Sequence, residues 1–328
     1  INGYGRIVRG LHRKILDTDD IELVAINSGS AADSHAYLLK YDSLYGKCNA
    51  DIKVDGKDLV VNGKKTAVYQ IKDPKDINWK KHHVDIVVES TGKFTEMQDV
   101  KKHLDAGAKK VLVTAPCKDP NIPNIVMGVN DEDVDLDKYK VVSNASCTTN
   151  CLAPVMKVLN KEFKVERSFV NTVHAFTYTQ NLLDNSNPED FRRARATTES
   201  IIPTTTGAMK ALGLVIPELE GKVDGMAFRV PVPTVSCIYV VAKLEKEVSA
   251  KDLNKMFKKY EEHELSGILG TSDEPLVSVD FRGDSRSAIV DLMSTKVLPG
   301  GYVQVVAWYD NEWGYICRVL DLIRWFSA

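Results

Sequence analysis

Apolar and polar positions follow one rhythm in the first half of the chain and another in the second. Short β-branched runs, IELVAIN (21–27), VDIVVES (84–90), KVLVTAP (110–116) and KVVSN (140–144), alternate with amphipathic stretches such as MQDVKKHLDAGA (97–108). Unbroken apolar runs of strand length, separated by helical stretches, are what parallel strands covered on both faces require. This half therefore predicts an α/β, doubly wound, mostly parallel sheet. From about residue 165 the runs lengthen and partly alternate, as in SFVNTVHAF, GMAFRVPVPTVSCIYVVAKLEKEV, LVSVDF and GYVQVVAWYD, with few helices between them. That succession predicts a second, α+β domain with a mostly antiparallel sheet. The closing GYICRVLDLIRWFSA has helical spacing, and a helix there is expected to dock back on the first domain. A long polar loop from Thr177 to Thr205 interrupts the second half, and loops of that length are usually functional.

Length and charge narrow the field. A chain of 328 residues with 44% hydrophobic content is read as two domains. A formal net charge of −2 gives no electrostatic footprint for nucleic acid or an anionic membrane, so any anionic substrate must be held by a few placed cations. No apolar run approaches a membrane span and no basic stretch leads into a signal core, which predicts a cytoplasmic protein. The six cysteines are too few and scattered for a disulfide scaffold, leaving reduced thiols, one of which can be chemical. No Cys or His pairing has metal-site spacing. The chain begins at Ile1 without methionine, so the strand expected before the glycine turn has almost no residues here, and further residues are expected to precede it.

Two stretches carry candidate chemistry. INGYGRIV (1–8) places Gly3 and Gly5 as in a dinucleotide-binding G-x-G-x-x-G, but puts Val8 where the third glycine belongs. The first two glycines permit the tight turn and the approach of a pyrophosphate, whereas the third serves close packing. Val8 thus threatens packing more than binding, and a slightly displaced first helix is expected. In SNASCTTNC (143–151), Cys147 falls between a strand and a helix, where oriented N–H groups favour a thiolate. Cys151 reads as a buried small hydrophobe, and Pro154 predicts a kink or a late helix start. His174, inside TVHAFTYT, is the histidine placed to serve as a base, although on chemistry alone a satisfied core histidine is the safer reading.

Together with LLKYDS (38–43), TVHAFTYTQ (172–180), FRRARA (191–196), SIIPTTTGAMKA (200–211), GMAFRVP (225–231) and WYDNEWGY (308–315), these stretches resemble the phosphorylating glyceraldehyde-3-phosphate dehydrogenase family over nearly the whole chain. The resemblance implies a dinucleotide-binding domain at 1–146, completed by the helix at 312–328, and a catalytic domain at 147–311. It implies a homotetramer whose loop at about 176–205 meets a neighbouring cofactor site. Cys147 becomes the nucleophile that forms a thioester and His174 its base. Thr177 and Arg229 correspond to residues holding the phosphate of the aldehyde substrate. Ser146, Thr148, Thr206 and Gly207 correspond to those holding inorganic phosphate, with Arg192 or Arg193 assisting. Gly3, Gly5, Arg6, Ile7, Asn27, Ser28, Lys72, Thr114, Asn311 and Tyr315 fall at cofactor positions.

One position departs from the family. NAD-using members usually end the second strand in Asn-Asp, whose carboxylate accepts from the ribose hydroxyls and repels a 2′-phosphate. Here Asn27 is followed by Ser28. The expectation is a cofactor of NADP or NAD, with NADP slightly favoured. Erythrose-4-phosphate dehydrogenase shares the cysteine motif and is the runner-up; a Cys-His hydrolase or a non-catalytic binding protein are readings from other classes.

Overall fold

Each β-branched run of the first half contains a short strand of three or four residues. The computed structural model describes residues 1–327, and the chain separates into two units. The first comprises residues 1–125, 133–145 and the chain from Ile316 onward. It contains α1 (Arg6–Ile15), β1 (Ala25–Asn27), α2 (Ala32–Lys40), β2 (Ile52–Asp55), β3 (Asp58–Val61), β4 (Lys64–Tyr69), β5 (Ile86–Glu89), α3 (Met97–Asp105), β6 (Lys110–Val113) and β7 (Val141–Ser143). β5, β6 and β7 pair in parallel, as does β1 with β4, while β2 and β3 add an antiparallel extension. Asn2 makes parallel bridges to both Asn27 and Glu89, holding the turn at Gly3 between the ends of β1 and β5.

Gly3 has φ +86°, and a Cβ there would sit 2.9 Å from the backbone of Ser90 and Thr91. Only glycine satisfies both conditions. Val8 is fully buried in α1. A close approach falls at Gly10, where a Cβ would collide with Ile316 Cδ1 on the C-terminal helix. Thus a glycine two residues beyond the motif lets α1 meet the C-terminal helix. That helix is also tied to the unit by Arg324, which donates to Asp20 at 2.6 Å.

The second unit comprises residues 126–132 and 146–315. Its elements are α4 (Cys147–Phe163), β8 (Val165–Ala175), β9 (Ile202–Thr204), α5 (Ala208–Val215), β10 (Val223–Val230), β11 (Ser236–Leu244), α6 (Ala250–Glu262), β12 (Leu269–Ser272), β13 (Ala288–Asp291), β14 (Lys296–Leu298) and β15 (Tyr302–Tyr309). The start of α7 (Trp313–Ser327) follows. The strands form one sheet in the order β9-β10-β8-β11-β15-β13-β12, with β14 on β15. Only the β8–β10 and β12–β13 pairs are parallel. Alternation along β8 sends Val170, Thr172 and His174 to the buried face and leaves Phe169 and Val173 exposed on the other.

Two expectations are corrected. LVSVDF is not a strand: Ser278–Phe281 is a 3-10 turn, closed because Asp280 accepts from the Val277 N–H at 2.8 Å, with Phe281 stacked on Trp308. Nor does Pro154 delay its helix, because α4 begins at Cys147 and carries Pro154 in its interior. The cap at Ser146 fixes the helix start ahead of the proline.

The buried side chain of Val8 sets a testable consequence. Val8→Gly removes its packing and places a glycine in a helix interior, so it is expected to lower stability by about 2–4 kcal/mol. Urea unfolding checks this, and nucleotide titration should show no gain in affinity.

Candidate active site

The Cys147 thiol is placed by a cap and a strained residue. Ala145 takes φ +51°, a conformation that costs a non-glycine residue about 1 kcal/mol or more. Ser146 then caps α4, its Oγ accepting from the Thr149 N–H at 3.0 Å. Cys147 is thereby the first helical residue, at the positive end of a 17-residue helix. Cys151, one turn further on, is fully buried.

His174 reaches this thiol from β8, with its Nε2 3.5 Å from Cys147 Sγ. The two elements are joined by a residue that motif reading overlooked. The Tyr309 hydroxyl lies 3.0 Å from Thr148 Oγ1 and 2.9 Å from Thr172 Oγ1, and the Tyr309 ring meets His174 edge-on. It therefore ties the first turn of α4 to β8 two residues before the histidine. The period of two along β15, which sends Tyr309 to the same buried face, was the available signal.

Burial sets the protonation of the pair. It pushes the Cys147 thiol up, against the opposing pulls of the Arg229 charge and Thr148. It pushes His174 down to about 3, and the adjacent Arg229 charge adds to this. Burial of the pair thus works against the helix-terminal N–H groups, which favour a thiolate.

Arg229 stands beside His174 because the parallel β8–β10 register pairs the two residues. Its Nη1 lies 2.7 Å from His174 Nδ1 and 3.2 Å from the Ala175 carbonyl, which is itself 2.7 Å from the same Nδ1. The guanidinium can only donate, so when it bonds Nδ1 the imidazole proton sits on Nε2. With Nδ1 protonated toward Ala175 instead, Nε2 is free to accept from the thiol. The charge of Arg193 depresses the pKa of Arg229, after the larger effect of burial, so these two cations share a region. Arg193 is half-buried and paired with Asp190 at 3.1 Å, whereas Arg192 is exposed.

The remaining catalytic-unit positions are as follows. Thr148 is buried with its hydroxyl on Tyr309. Thr177 Oγ1 lies 2.9 Å from Thr179 Oγ1 and donates to Gln180 at 3.1 Å. Thr206 Oγ1 accepts from the Ala208 N–H at the start of α5, and nothing lies within 4 Å of a Cβ built on the exposed Gly207. Asn311 is buried, and its Oδ1 accepts from Ser236 at 2.9 Å, which directs its amide NH2 away from that bond. Tyr315 is buried.

The first unit presents a dinucleotide cradle. Gly5 precedes α1 without a side-chain cap, the first turn holds no acidic residue, and a Cβ on Gly5 would meet nothing within 4 Å. An uncapped helix start with open space before it suits an anion. The exposed Arg6 side chain pairs with Asp42 at 3.1 Å, and Ile7 is half-buried. Asn27 is clamped, its Nδ2 donating to Asn2 Oδ1 (2.7 Å) and the Ile71 carbonyl (2.9 Å) while its Oδ1 accepts from the Ile71 N–H (2.8 Å). Ser28 is half-buried, with its N–H on the Tyr69 carbonyl. The clamp brings the chain leading to the exposed Lys72 beside the end of β1. Thr114 is half-buried and hydrogen-bonds the Glu89 carbonyl. Among the described residues there is no group of side chains that could hold a metal ion.

A dinucleotide-type parallel sheet in the first unit and a thiol facing an imidazole in the second suit an oxidoreductase of the NAD(P)-linked class. Comparison with known proteins makes the class specific. Residues 1–97 match the model for the NAD binding domain of glyceraldehyde 3-phosphate dehydrogenase, and residues 146–311 match that for its C-terminal domain. Glyceraldehyde-3-phosphate dehydrogenases from Priestia megaterium and Geobacillus stearothermophilus are each 52% identical over 328 residues, covering all of this chain and 97% of theirs. Glyceraldehyde-3-phosphate dehydrogenase 3 of Saccharomyces cerevisiae is 46% identical over 325 residues, covering 99% of this chain and 97% of its own. The chain belongs to the glyceraldehyde-3-phosphate dehydrogenase family.

If Tyr309 sets the approach of thiol and imidazole, Tyr309→Phe should reduce kcat for glyceraldehyde 3-phosphate by roughly tenfold with little change in KM, since misplaced reacting groups cost turnover. Steady-state kinetics on folded protein measure this.

Proposed function

We propose that the protein converts D-glyceraldehyde 3-phosphate and inorganic phosphate to 1,3-bisphosphoglycerate through a thioester on Cys147. The observation that carries the reading is the 3.5 Å contact between Cys147 Sγ and His174 Nε2 beside two arginines. His174 Nε2 takes the thiol proton as Sγ adds to the aldehyde carbon, and returns it to the new oxygen to give a hemithioacetal. It then takes that hydroxyl proton as the carbon is oxidised to the thioester. When bound, the nicotinamide supplies the hydride acceptor for that oxidation. Phosphate oxygen attacks the thioester carbonyl, Sγ leaves as thiolate, and the acyl phosphate is released.

The cations divide the two phosphates. Arg229 and Thr177 hold the substrate phosphate, and drawing Arg229 toward it releases His174 Nδ1 to donate to Ala175, which leaves Nε2 unprotonated as the base. Ser146, Thr206, Gly207 and the backbone N–H of Thr148 hold inorganic phosphate, with Arg193 rather than Arg192 assisting. Half-burial and the electrostatic reach of Arg193 to Arg229 support that choice.

The cradle fits a dinucleotide: Gly5 leaves room, the α1 N-terminus receives the pyrophosphate, and Gly3, Arg6, Ile7 and Thr114 form the surrounding backbone. Asn27 acts by holding Ile71 rather than by a free amide. Asn311 offers its NH2 to the nicotinamide carboxamide, and Tyr315 packs near the ring. NADP is accepted and slightly preferred, because Ser28 presents no carboxylate and Lys72 is an exposed cation near the end of β1. The protein works as a homotetramer in the cytoplasm. Exposed Phe169, Val173, Tyr239 and Tyr302 on one sheet face, and Tyr178, Leu183 and Phe191 on the long loop, give copies of the chain an apolar surface to cover.

Three kinetic comparisons test the reading. Omitting phosphate should stall turnover after one acylation; sustained production of a free acid would instead indicate the four-carbon dehydrogenase. Cys147→Ser should abolish nucleotide reduction. The ratio of kcat/KM for NADP and NAD should favour NADP, and a tenfold preference for NAD would overturn the cofactor assignment.

A further inference from the structure

Beneath the glycine turn lies a buried polar chain that touches neither of the reacting centres. Glu89 is 1% exposed at the end of β5. Its Oε2 accepts from Asn2 Nδ2 at 2.6 Å and from His103 Nε2 at 2.9 Å. Its Oε1 accepts from the Thr91 N–H at 2.8 Å and from the Thr91 hydroxyl. The carboxyl group thus meets four donors, which compensate its burial.

Three of these donors have no freedom to reverse. The Thr91 N–H is backbone. Asn2 must present its NH2 to Glu89, because its Oδ1 is already taken by Asn27 Nδ2 at 2.7 Å. His103 must carry its proton on Nε2, because its Nδ1 accepts from the Trp79 indole N–H at 3.1 Å. Trp79 and His103 are both fully buried, so water cannot replace either bond.

The segments held by these bonds are those that shape the cradle. Asn2 leads into Gly3, and Ser90–Thr91 is the backbone against which Gly3 is pressed. Asn27 joins Asn2 to Ile71 and precedes Ser28. We propose that Glu89 is a positioning residue for dinucleotide binding: its carboxylate, oriented by His103 and Trp79, fixes the Gly3 turn, the Ser90–Thr91 loop and the end of β1 in one geometry. This rests on the reading of that turn as the dinucleotide cradle. Glutamine cannot substitute for it. Whichever way its amide points, an NH2 faces at least one donor that cannot turn into an acceptor.

The test is NAD and NADP titration into the full chain, followed by fluorescence, together with steady-state kinetics. Glu89→Gln is expected to raise the Kd for the preferred dinucleotide at least tenfold, with the KM for glyceraldehyde 3-phosphate at saturating dinucleotide changed less than twofold. Thr91→Val, which removes the hydroxyl donor to Glu89 and the acceptor for the exposed Lys93 N–H, should raise the dinucleotide Kd about threefold. Val87→Ala, a cavity in the same strand, should lower the unfolding midpoint without moving the dinucleotide Kd, which separates positioning from loss of stability. Folded Glu89→Gln that binds dinucleotide like the unsubstituted chain overturns the assignment. If that variant does not fold, Thr91→Val binding unchanged overturns it equally. Failure of the unsubstituted chain to bind either dinucleotide would instead defeat the cradle reading itself.

Discussion

The contact between Cys147 Sγ and His174 Nε2 is the constraint around which the second unit is arranged. A thiol on a helix terminus and an imidazole on a strand approach usefully only if helix and strand are held in register. Tyr309 does this with one hydroxyl, bonded to Thr148 on one side and Thr172 on the other. Burying the pair has a consequence for its charge. Desolvation raises the thiol and lowers the imidazole, so burial works against charging either group. Arg229, close enough to bond Nδ1, makes the imidazole tautomer depend on where the guanidinium is engaged.

The first unit solves a different problem, holding three backbone segments still around a glycine turn. Buried amides and a carboxylate do so by satisfying one another, with Asn27 and Asn2 in one chain and Glu89 at its centre. A fully satisfied polar network of this kind specifies one arrangement, because any rearrangement leaves a donor unpaired in the interior. Close helix packing, usually credited to the third glycine of the motif, is supplied instead by Gly10 against Ile316.

Much of this was legible in the sequence where periodicity or motif spacing carried the information. The parallel strands at 86–89, 110–113 and 141–143 follow from unbroken apolar runs, the helix at 97–105 from a period of 3.6, and the long strands of the second unit from a period of 2. LVSVDF misled because apolar alternation was read without the aspartate that closes it into a turn. The hairpin strands at 52–69 are short and half polar, so they had little signal. Within the site, Cys147 and His174 stood out by context, but Tyr309 and Glu89 did not. Their importance lies in partners 137 to 161 residues away for Tyr309, and up to 87 for Glu89, and such distances are set by topology rather than by local pattern. The burial that raises the Cys147 thiol was likewise invisible, since it is set by tertiary packing.

The central claim is that Cys147 carries the acyl group between oxidation and phosphate attack. Its most direct test is intact-protein and peptide mass spectrometry after mixing the enzyme with dinucleotide and glyceraldehyde 3-phosphate in the absence of phosphate. The account predicts one phosphoglyceroyl group per chain, on the peptide bearing Cys147, discharged as acyl phosphate when inorganic phosphate is added. Steady dinucleotide reduction with no adduct on Cys147, or an adduct on another cysteine, would contradict it.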